Sequence, residues 1–303
     1  MNTNLPELHS CTLCPRKCYV DRASGQCGYC GENAELRVGR AALHFWEEPC
    51  ISGTCGSGTV FFAGCSLRCV YCQNYDLIRS GGGVPVTEER LAAIFLELEK
   101  KGAANINLVT PDHFIPQILP ALKSAKKEGL TLPVVWNLSG YETVAQLQMI
   151  EEFADIYLTD LKYLDADLAS AYSSAPDYPE TARAALAEMV RQQPVPVFDE
   201  AGMMKKGVIV RHLLLPGHVQ ASQKVLDYLY GTYGGRIYVS MMNQYTPRPG
   251  IADQFPELAR RVTKREYEKL VDHALLLGME NAFIQEGGTA EESFIPAFDG
   301  EGV

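Results

Sequence analysis

Residues 59–74 read TVFFAGCSLRCVYCQN, a short apolar run followed at once by three cysteines in a C-x3-C-x2-C pattern. The run TVFFAG at 59–64 is rich in β-branched and aromatic residues, which predicts a buried strand. Cys65 follows this run directly, so Cys65, Cys69 and Cys72 are expected on the loop at the strand's carboxyl end. Closely spaced cysteines in a long chain indicate metal binding rather than disulfides.

On the C-terminal side of this stretch, apolar runs alternate with helical patterns. Strands are predicted at 105–110, 133–137, 155–160, 207–215, 236–242 and 281–285. Helices are predicted from apolar periodicity and capping residues. One begins at Thr87 and stops at Gly102, one opens with Pro179, and one runs from the Thr263 and Glu266 capping box to Gly278.

This alternation predicts an α/β fold in which helices cover a parallel sheet. Right-handed crossovers between successive strands would curl the sheet into a full or partial (β/α) barrel. An open doubly wound sheet is the alternative. In either arrangement the functional loops follow the carboxyl ends of the strands, where the three cysteines are expected.

The composition limits the classes of partner. The 303-residue chain has 27 Lys and Arg against 37 Asp and Glu, a formal net charge of −10, so a broad basic surface for nucleic acid is not expected. The first residues, MNTNLPELHS, lack a secretory pattern, and no apolar run approaches the roughly 20 residues that span a bilayer. We expect a cytoplasmic protein with no membrane partner.

Three parts are predicted along the chain. A cysteine-rich metal-binding extension occupies 1–55, the barrel occupies 56–290, and a C-terminal tail occupies 291–303. The extension holds five closely spaced cysteines, Cys11, Cys14, Cys18, Cys27 and Cys30.

These five cysteines are compatible with either of two kinds of metal site. The two C-x2-C units together are typical of a zinc knuckle. Cys11, Cys14 and Cys18 with Cys27 suit a second [4Fe–4S] cluster equally well, and this arrangement is the one we favour. Cys50 and Cys55 bracket a glycine turn; buried or free thiols are the expectation, with membership of either metal site as the alternative.

Three cysteines are one fewer than a closed cluster uses. A [4Fe–4S] cluster for electron transfer takes four thiolates. A cluster held by three leaves one iron open to an outside ligand, just as a catalytic zinc keeps an open position. Three thiolates on zinc, completed by a histidine, are the alternative.

C-x3-C-x2-C with Tyr71 before the last cysteine resembles the motif of the radical S-adenosylmethionine (SAM) superfamily. The blocks EEPCISGTCGSGTVFFAGCSLRCVYCQN, YLTDLKY, GVIVRHLLLPG and MMNQYTP are similar to those of PflX-type homologues of the pyruvate formate-lyase activating enzyme. The resemblance runs from about Cys11 to about Glu286. It implies a barrel of the radical SAM type, with Cys65, Cys69 and Cys72 as ligands of a [4Fe–4S] cluster whose open iron is chelated by SAM.

The resemblance also implies roles for charged residues. Asp160 and Lys162 stand in the D-x-K segment, which lies near the methionine end of SAM, although a surface ion pair is the alternative. Arg211 lies within an apolar strand, where a charge requires an anionic partner or a path to solvent. By resemblance it contacts the carboxylate or ribose of SAM.

Two turns depart from the family pattern. The glycine-rich turn that binds the SAM amino group is replaced by VTPDH, in which Thr110 and Asp112 are candidate ligands. Asp112 is equally a candidate helix N-cap. His113 is a candidate proton donor, with a structural histidine as the alternative. The cation-binding turn of activating enzymes reads NLSG here, so no cation site is predicted, but Asn137 and Ser139 are candidate SAM ligands.

Residues beside the cluster and at the end of the sixth strand complete the candidate site. Gln244 and Tyr245 are expected to line the cavity near adenine or the substrate, with a turn that merely closes the strand as the alternative. Gln73 and Asn74 directly follow the third cysteine and are expected to hydrogen-bond around the cluster.

By resemblance, the chain is an oxidoreductase that cleaves SAM reductively to a 5′-deoxyadenosyl radical. The leading hypothesis for its target is a protein-backbone glycine, which would make the chain an activase of a glycyl radical enzyme. A radical enzyme for a small molecule or another macromolecule is the alternative, and a non-enzymatic metal-binding or electron-transfer protein is a remote one. A low-potential electron donor, a flavodoxin or ferredoxin, is the expected second partner.

Overall fold

The computed structural model describes residues 6–79, 82–285 and 296–303. Its strands are β1 Arg37–His44, β2 Ser57–Phe62, β3 Val84–Pro85, β4 Ile106–Val109, β5 Val134–Leu138, β6 Ile156–Asp160, β7 Val197–Phe198, β8 Met204–Leu213, β9 Tyr238–Met242 and β10 Ala282–Ile284. Its α-helices are α1 Pro6–His9, α2 Pro49–Ser52, α3 Tyr75–Arg79, α4 Glu88–Lys100, α5 Ile115–Lys127, α6 Val144–Ile150, α7 Ala166–Ser173, α8 Tyr178–Gln192, α9 Val219–Tyr233 and α10 Lys264–Leu277. Turns of 3-10 helix occupy Arg22–Ser24, Asp112–Phe114, Glu151–Phe153, Gly234–Arg236, Ile251–Asp253 and Pro256–Leu258.

The parallel part of the sheet follows the order β2-β4-β5-β6-β8-β9-β10. Each of these strands lies beside the next parallel strand along the chain, without the reversal of order that marks a doubly wound sheet. Successive crossovers in one direction curl a sheet into a partial barrel. The predicted α/β class is therefore confirmed, and every strand predicted from the apolar runs is present.

The helices begin and end where the sequence predicts. The Thr87 side chain accepts from Arg90 N–H and caps α4, whose buried stripe faces the sheet. Thr263 and Glu266 form the predicted capping box of α10, and Gly278 closes this helix at φ 78°. Apolar side chains buried between these helices and the strands form one main core.

The N-terminal extension contains a strand that the sequence pattern missed. β1 pairs antiparallel with β2 from His44 opposite Ser57 to Val38 opposite Phe62, so residues on both sides of the predicted 55/56 boundary share one sheet. On the same strand, Ala41 N–H donates to Glu301 C=O at 2.8 Å, which ties residues near the C-terminus to it. The predicted barrel–tail boundary at 290/291 lies outside the described residues.

The parallel strands place their carboxyl ends at one edge of the sheet. Asp160 ends β6 directly opposite Arg211 of β8, and Arg211 lies opposite Ser240 of β9. Thr110 immediately follows β4, and Asn137 stands near the end of β5. Polar residues far apart in sequence therefore meet at this edge. No helix in the described part of the chain is long and apolar enough to cross a membrane.

Candidate functional site

A cavity of about 580 Å³ opens at the carboxyl ends of the parallel strands. Its wall includes all three motif cysteines, Cys65, Cys69 and Cys72. It also includes most of the residues predicted to bind a cofactor in the barrel: Thr110, Asn137, Ser139, Asp160, Lys162, Arg211 and Gln244. Asp112, the other candidate ligand of the VTPDH turn, is not among the residues that line it. The volume lies within the range of roughly 300–1,000 Å³ that small-molecule sites occupy. The structure thus brings together residues that the sequence spreads over some 180 positions.

The cysteine loop turns sharply after β2. Gly64 has φ 77°, and a Cβ there would lie 2.8 Å from the Cys30 carbonyl oxygen, so only glycine lets the loop pass this close. Burial, aided by neighbouring negative groups, raises the pKa of Cys65 well above its usual range and that of Cys72 to about 12. Both groups are therefore neutral thiols without metal, and iron binding must release their protons.

The donor set fits an iron–sulfur cluster. Within the described ranges, no group of three or more His, Cys, Asp or Glu side chains is arranged to hold a metal ion. The predicted zinc alternative, three thiolates completed by a histidine on one ion, is thus not assembled in those ranges. A four-iron cube takes each thiolate on a different iron, so its ligands need not converge on one point. Three soft thiols opening onto a cavity suit such a cluster with one iron facing the cavity.

A chain of hydroxyl groups leads to one of the motif sulfurs. Ser173 Oγ lies 3.1 Å from Cys69 Sγ and 3.2 Å from Tyr163 Oη, and Tyr163 Oη in turn contacts Tyr71 Oη. Burial raises the pKa of Tyr71 and of Tyr163 well above the usual value, so both phenols stay protonated. Of these three hydroxyl residues, the sequence analysis identified only Tyr71, because Ser173 lies 104 positions from the cysteine that it contacts.

Asp160 and Lys162 form an ion pair on the cavity wall. Burial alone would lower the pKa of Lys162, but the Asp160 carboxylate outweighs it and holds this pKa well above the usual value. Tyr178 Oη accepts from Lys162 N–H at 3.0 Å and donates to the Ser139 carbonyl at 2.9 Å, which links β5 and β6 below the pair. The pair therefore presents one ammonium and one carboxylate together to the cavity.

Arg211 already has carboxylate partners. Its Nε and Nη2 donate to the two oxygens of Glu48 at 2.8 and 2.6 Å, and Nη2 also donates to Glu47. Burial alone would raise the pKa of Glu48, but the Arg211 charge outweighs it and lowers this pKa. Sequence reasoning missed both glutamates, which precede α2 and lie more than 160 positions from the arginine. Two carboxylates on one guanidinium make this wall acidic.

Three residues of the VTPDH turn take different positions. Thr110 lines the cavity in the left-handed region, at φ 56°, which is strained for a β-branched residue. His113 is not part of the cavity wall; it is buried, and its Nε2 lies 2.7 Å from the Ala63 carbonyl oxygen. Asp112 is also buried, and no N-cap hydrogen bond from a side chain starts its short helix. The structure therefore does not bring the candidate proton donor to the cavity.

Gln244 and Tyr245 diverge at the end of β9. Gln244 lines the cavity, and its Oε1 accepts from Gln285 Nε2 at 3.1 Å. Tyr245 points away into the core, where its hydroxyl donates to the Leu258 carbonyl at 2.6 Å and its ring packs on Tyr71. Gln73 and Asn74 line the cavity beside Cys72, and their hydrogen bonds around the cluster stay a prediction.

The N-terminal cysteines separate by burial. Cys11, Cys14 and Cys30 are buried and Cys18 is half-buried. Cys27, the predicted fourth ligand, is exposed, so Cys30 takes the inward position instead. Cys50 is buried, Cys55 is exposed, and neither lines the cavity, in keeping with their expected role as ordinary thiols.

Comparison with known proteins gives a family and a fold. The model of the Radical SAM superfamily matches residues 59–220. An uncharacterized protein of Methanocaldococcus jannaschii is 28% identical over 273 residues, 88% of this chain and 74% of that protein. The pyruvate formate-lyase-activating enzyme of Clostridium pasteurianum is 30% identical over 117 residues, 36% of this chain and 46% of that protein.

A solved structure shares the fold. The crystal structure of a radical SAM methyltransferase from Sphaerobacter thermophilus superposes with a TM-score of 0.52 at 14% identity. The match covers 76% of this chain and 66% of the methyltransferase. At this identity the likeness concerns the fold alone, and it agrees with the partial barrel described above.

Proposed function

The chain belongs to the radical SAM superfamily, and from that premise we propose that it cleaves SAM reductively to a 5′-deoxyadenosyl radical. Cys65, Cys69 and Cys72 would hold the [4Fe–4S] cluster, and the adjoining cavity would hold SAM. Bound together, the two cofactors supply one-electron cleavage of a carbon–sulfur bond. The observation that carries the proposal is the opening of three thiols onto the cavity that the Asp160–Lys162 pair also lines.

The charged pair suits a zwitterionic ligand. The Asp160 carboxylate can accept from an α-ammonium group, and the Lys162 ammonium can donate to an α-carboxylate. Tyr178, buried beneath the pair, fixes the backbone from which both side chains extend. These residues would hold the methionine end of SAM beside the cysteine loop.

Beside this pair, the acidic wall formed by Glu47, Glu48 and Arg211 suits hydroxyl donors. Arg211 lowers the pKa of the buried Glu48 and also donates to Glu47, and carboxylate oxygens accept from sugar hydroxyl groups. We assign the ribose of SAM to this wall. Arg211 then acts by holding the glutamates and not by binding the SAM carboxylate. Apolar residues complete the lining and limit access of water to a reactive radical: Phe61, Leu67, Val109, Leu138 and Met242.

For the substrate, we propose a backbone glycine of a glycyl radical enzyme. The radical would take one hydrogen atom from the glycine Cα, which leaves 5′-deoxyadenosine and a glycyl radical. Support comes from the partial match to the activating enzyme of Clostridium pasteurianum. A flavodoxin or ferredoxin would supply the electron. A small-molecule or other macromolecular substrate is the alternative outcome of the experiments below.

The first experiment measures cofactor cleavage without any substrate. The chain is purified and reconstituted anaerobically, reduced with dithionite in the presence of SAM, and assayed for 5′-deoxyadenosine by chromatography. We expect the nucleoside from the parent and from a Cys55→Ala control, whose thiol is exposed outside the cavity, and none from Cys65→Ala/Cys69→Ala/Cys72→Ala. A parent that binds no SAM would contradict the proposal.

The second experiment tests the substrate. The reduced protein is mixed with SAM and candidate glycyl radical enzymes, and electron paramagnetic resonance is used to detect a glycyl radical. The expected result is a doublet that requires both proteins and SAM. Nucleoside formation without a radical on any partner would favour the alternative, a small molecule or another macromolecule.

A further inference from the structure

Four cysteines of the N-terminal extension are buried or half-buried: Cys11, Cys14, Cys18 and Cys30. Cys11 and Cys30 are each 5% exposed and Cys14 is 7% exposed, although the segment that carries them has almost no regular structure. Cys18 packs against the same small cluster as Cys11. Burial of this many thiols by loops alone requires a fold that is held in place by specific contacts.

Backbone geometry turns these cysteines inward. Cys11 N–H donates to the Val20 carbonyl, and Tyr19 N–H donates to the Cys11 carbonyl, both at 3.0 Å, so the ends of this loop are pinned together. Lys17 and Tyr19, on either side of Cys18, adopt φ values of 41° and 56°. Left-handed backbone at non-glycine residues is unfavourable and persists only where the surroundings enforce it.

Gly28 lies beside the sulfur atoms of Cys18 and Cys30. A Cβ at this position would lie 3.3 Å from Cys18 Sγ and 3.3 Å from Cys30 Sγ. The two sulfurs, 12 positions apart in sequence, therefore flank the same glycine. A side chain there would intrude between them, whereas glycine leaves room for a group that both sulfurs contact.

A buried cation lies beside these thiols. Arg22 is 1% exposed and belongs to none of the ion pairs among the described residues. Its guanidinium donates to the carbonyls of Asn33 and His113, and its Nη1 lies 4.0 Å from Cys11 Sγ. Burial of a positive charge is unfavourable unless negative charge lies close to it. The buried Glu32 carboxyl is near enough to interact with the Arg22 charge, although the two form no ion pair among the described residues. Neutral thiols supply no negative charge, whereas thiolates bound to a metal cluster do.

We propose that Cys11, Cys14, Cys18 and Cys30 bind a second [4Fe–4S] cluster, with Arg22 as its buried counter-ion. Four thiolate ligands close this cluster, so no iron is left for SAM or substrate. A single zinc ion is the less suitable occupant, because the described side chains do not converge as one ion requires. Cys27 is excluded by its exposure.

The second cluster would lie against the loop of the first. Cys65 N–H donates to the Cys30 carbonyl at 3.1 Å, so a ligand of one site is hydrogen-bonded to a ligand of the other. Arg16 Nε, on the loop between Cys14 and Cys18, donates to the Ser66 carbonyl at 2.8 Å. The two cysteine groups are therefore parts of one packed unit.

Iron analysis of a chain that lacks the first site tests this inference independently of SAM chemistry. Cys65→Ala/Cys69→Ala/Cys72→Ala is reconstituted anaerobically, and iron and acid-labile sulfide are measured. We expect about four of each per chain, against about eight in the parent. After reduction, its electron paramagnetic resonance signal should not change when SAM is added, because all four irons have protein ligands.

Matched variants in that background test the ligand set. Cys30→Ser should remove most of the iron, and Cys27→Ser, three positions away, should retain it, with circular dichroism confirming that both variants are folded. Loss of iron from Cys27→Ser with retention by Cys30→Ser would overturn the ligand assignment. One zinc per chain in place of iron, or no metal in the triple variant, would overturn the cluster itself.

Discussion

Arg211 and Glu48 form a two-point ion pair across the cavity wall, with Nε and Nη2 of the arginine 2.8 and 2.6 Å from the two carboxylate oxygens. Both side chains are largely buried. Arg211 lies within a strand, where a charged side chain needs an anionic partner, and the carboxylate of Glu48, in the segment before α2, is that partner. The consequence is that the pair stabilises the fold as well as shaping the cavity.

Arg211→Met should reduce the free energy of unfolding by about 3 kcal/mol, because it leaves buried carboxylates without a partner. Adding Glu48→Gln to Arg211→Met should recover part of that loss. A double-mutant cycle from urea denaturation should give a coupling of about 2 kcal/mol at neutral pH. The exposed Lys264–Glu268 pair, at 3.6 Å, is the control and should give a coupling close to zero.

The stabilisation from the Arg211–Glu48 pair has a predictable pH dependence. Arg211 lowers the pKa of Glu48 in the folded state, so the stabilisation is fully present above the unfolded value of roughly 4.3 and is lost as the pH falls through the folded value. The coupling should therefore persist from pH 7 to pH 5 and shrink below about pH 4. A coupling that stays constant to pH 3 would contradict the assignment.

Ser173→Ala should lower the reduction potential of the cluster proposed at Cys65, Cys69 and Cys72. Ser173 Oγ lies 3.1 Å from Cys69 Sγ, and a hydrogen bond to a ligand sulfur stabilises the reduced, more negative cluster. A redox titration followed by electron paramagnetic resonance measures the shift. Ser170→Ala, an exposed position on the same helix, is the control. Equal potentials in both variants would show that the hydroxyl chain does not act on this sulfur.

Much of the site could be predicted because strand ends in a parallel sheet meet at one edge. Any polar residue that follows a strand is placed near the others by the fold alone, as with Thr110, Asp160 and Lys162. The direction of a side chain within a turn is set by packing and not by order along the chain. Gln244 and Tyr245 are adjacent, yet one lines the cavity and the other is buried in the core.

Contacts between distant segments left no pattern in the sequence. The sequence does not distinguish Glu47 and Glu48 from other polar residues, although the fold places them beside Arg211 of β8. They follow β1, which forms in a segment that the sequence predicts as turns. The N-terminal cysteines show the same limit. Cys27 and Cys30 have equally suitable spacing, and only the folded loop distinguishes the exposed thiol from the buried one.

Tyr245→Phe should leave the affinity for SAM unchanged, since the hydroxyl points into the core. It should reduce stability by about 1 kcal/mol, the usual contribution of a hydrogen bond such as the one to Leu258. Gln244→Ala, in the neighbouring position on the cavity wall, should weaken SAM binding severalfold. Equilibrium dialysis with SAM measures both affinities. The opposite ranking of the two variants would place Tyr245, and not Gln244, at the ligand.

Gly140→Ala should destabilise the junction between β5 and β6. Gly140 has φ 79°, and a Cβ there would lie 2.7 Å from Tyr178 Oη and still closer to the Asp160 carbonyl oxygen. We expect a loss of about 3 kcal/mol, more than the roughly 1–2 kcal/mol that left-handed backbone alone costs. Gly202→Ala, with φ 77° and open space around it, isolates the backbone contribution. Similar losses in the two variants would show that the close approach to Asp160 is tolerated.

Glu142→Gln should make the protein more stable in alkaline solution. Burial, together with the charge of Asp112, raises the pKa of Glu142 to about 8, and one of its oxygens has no hydrogen-bond partner among the described residues. In the unfolded chain a glutamate ionises near pH 4.3, so between that value and about 8 the folded state holds a proton that the unfolded state has released. The parent should therefore lose up to about 1.4 kcal/mol of stability per pH unit across this window.

The glutamine variant keeps an oxygen for Ser139 without titrating, so its unfolding free energy should vary less between pH 6 and pH 8.5. Urea denaturation at several pH values compares the two slopes, and equal slopes would mean that Glu142 is ionised in the folded protein.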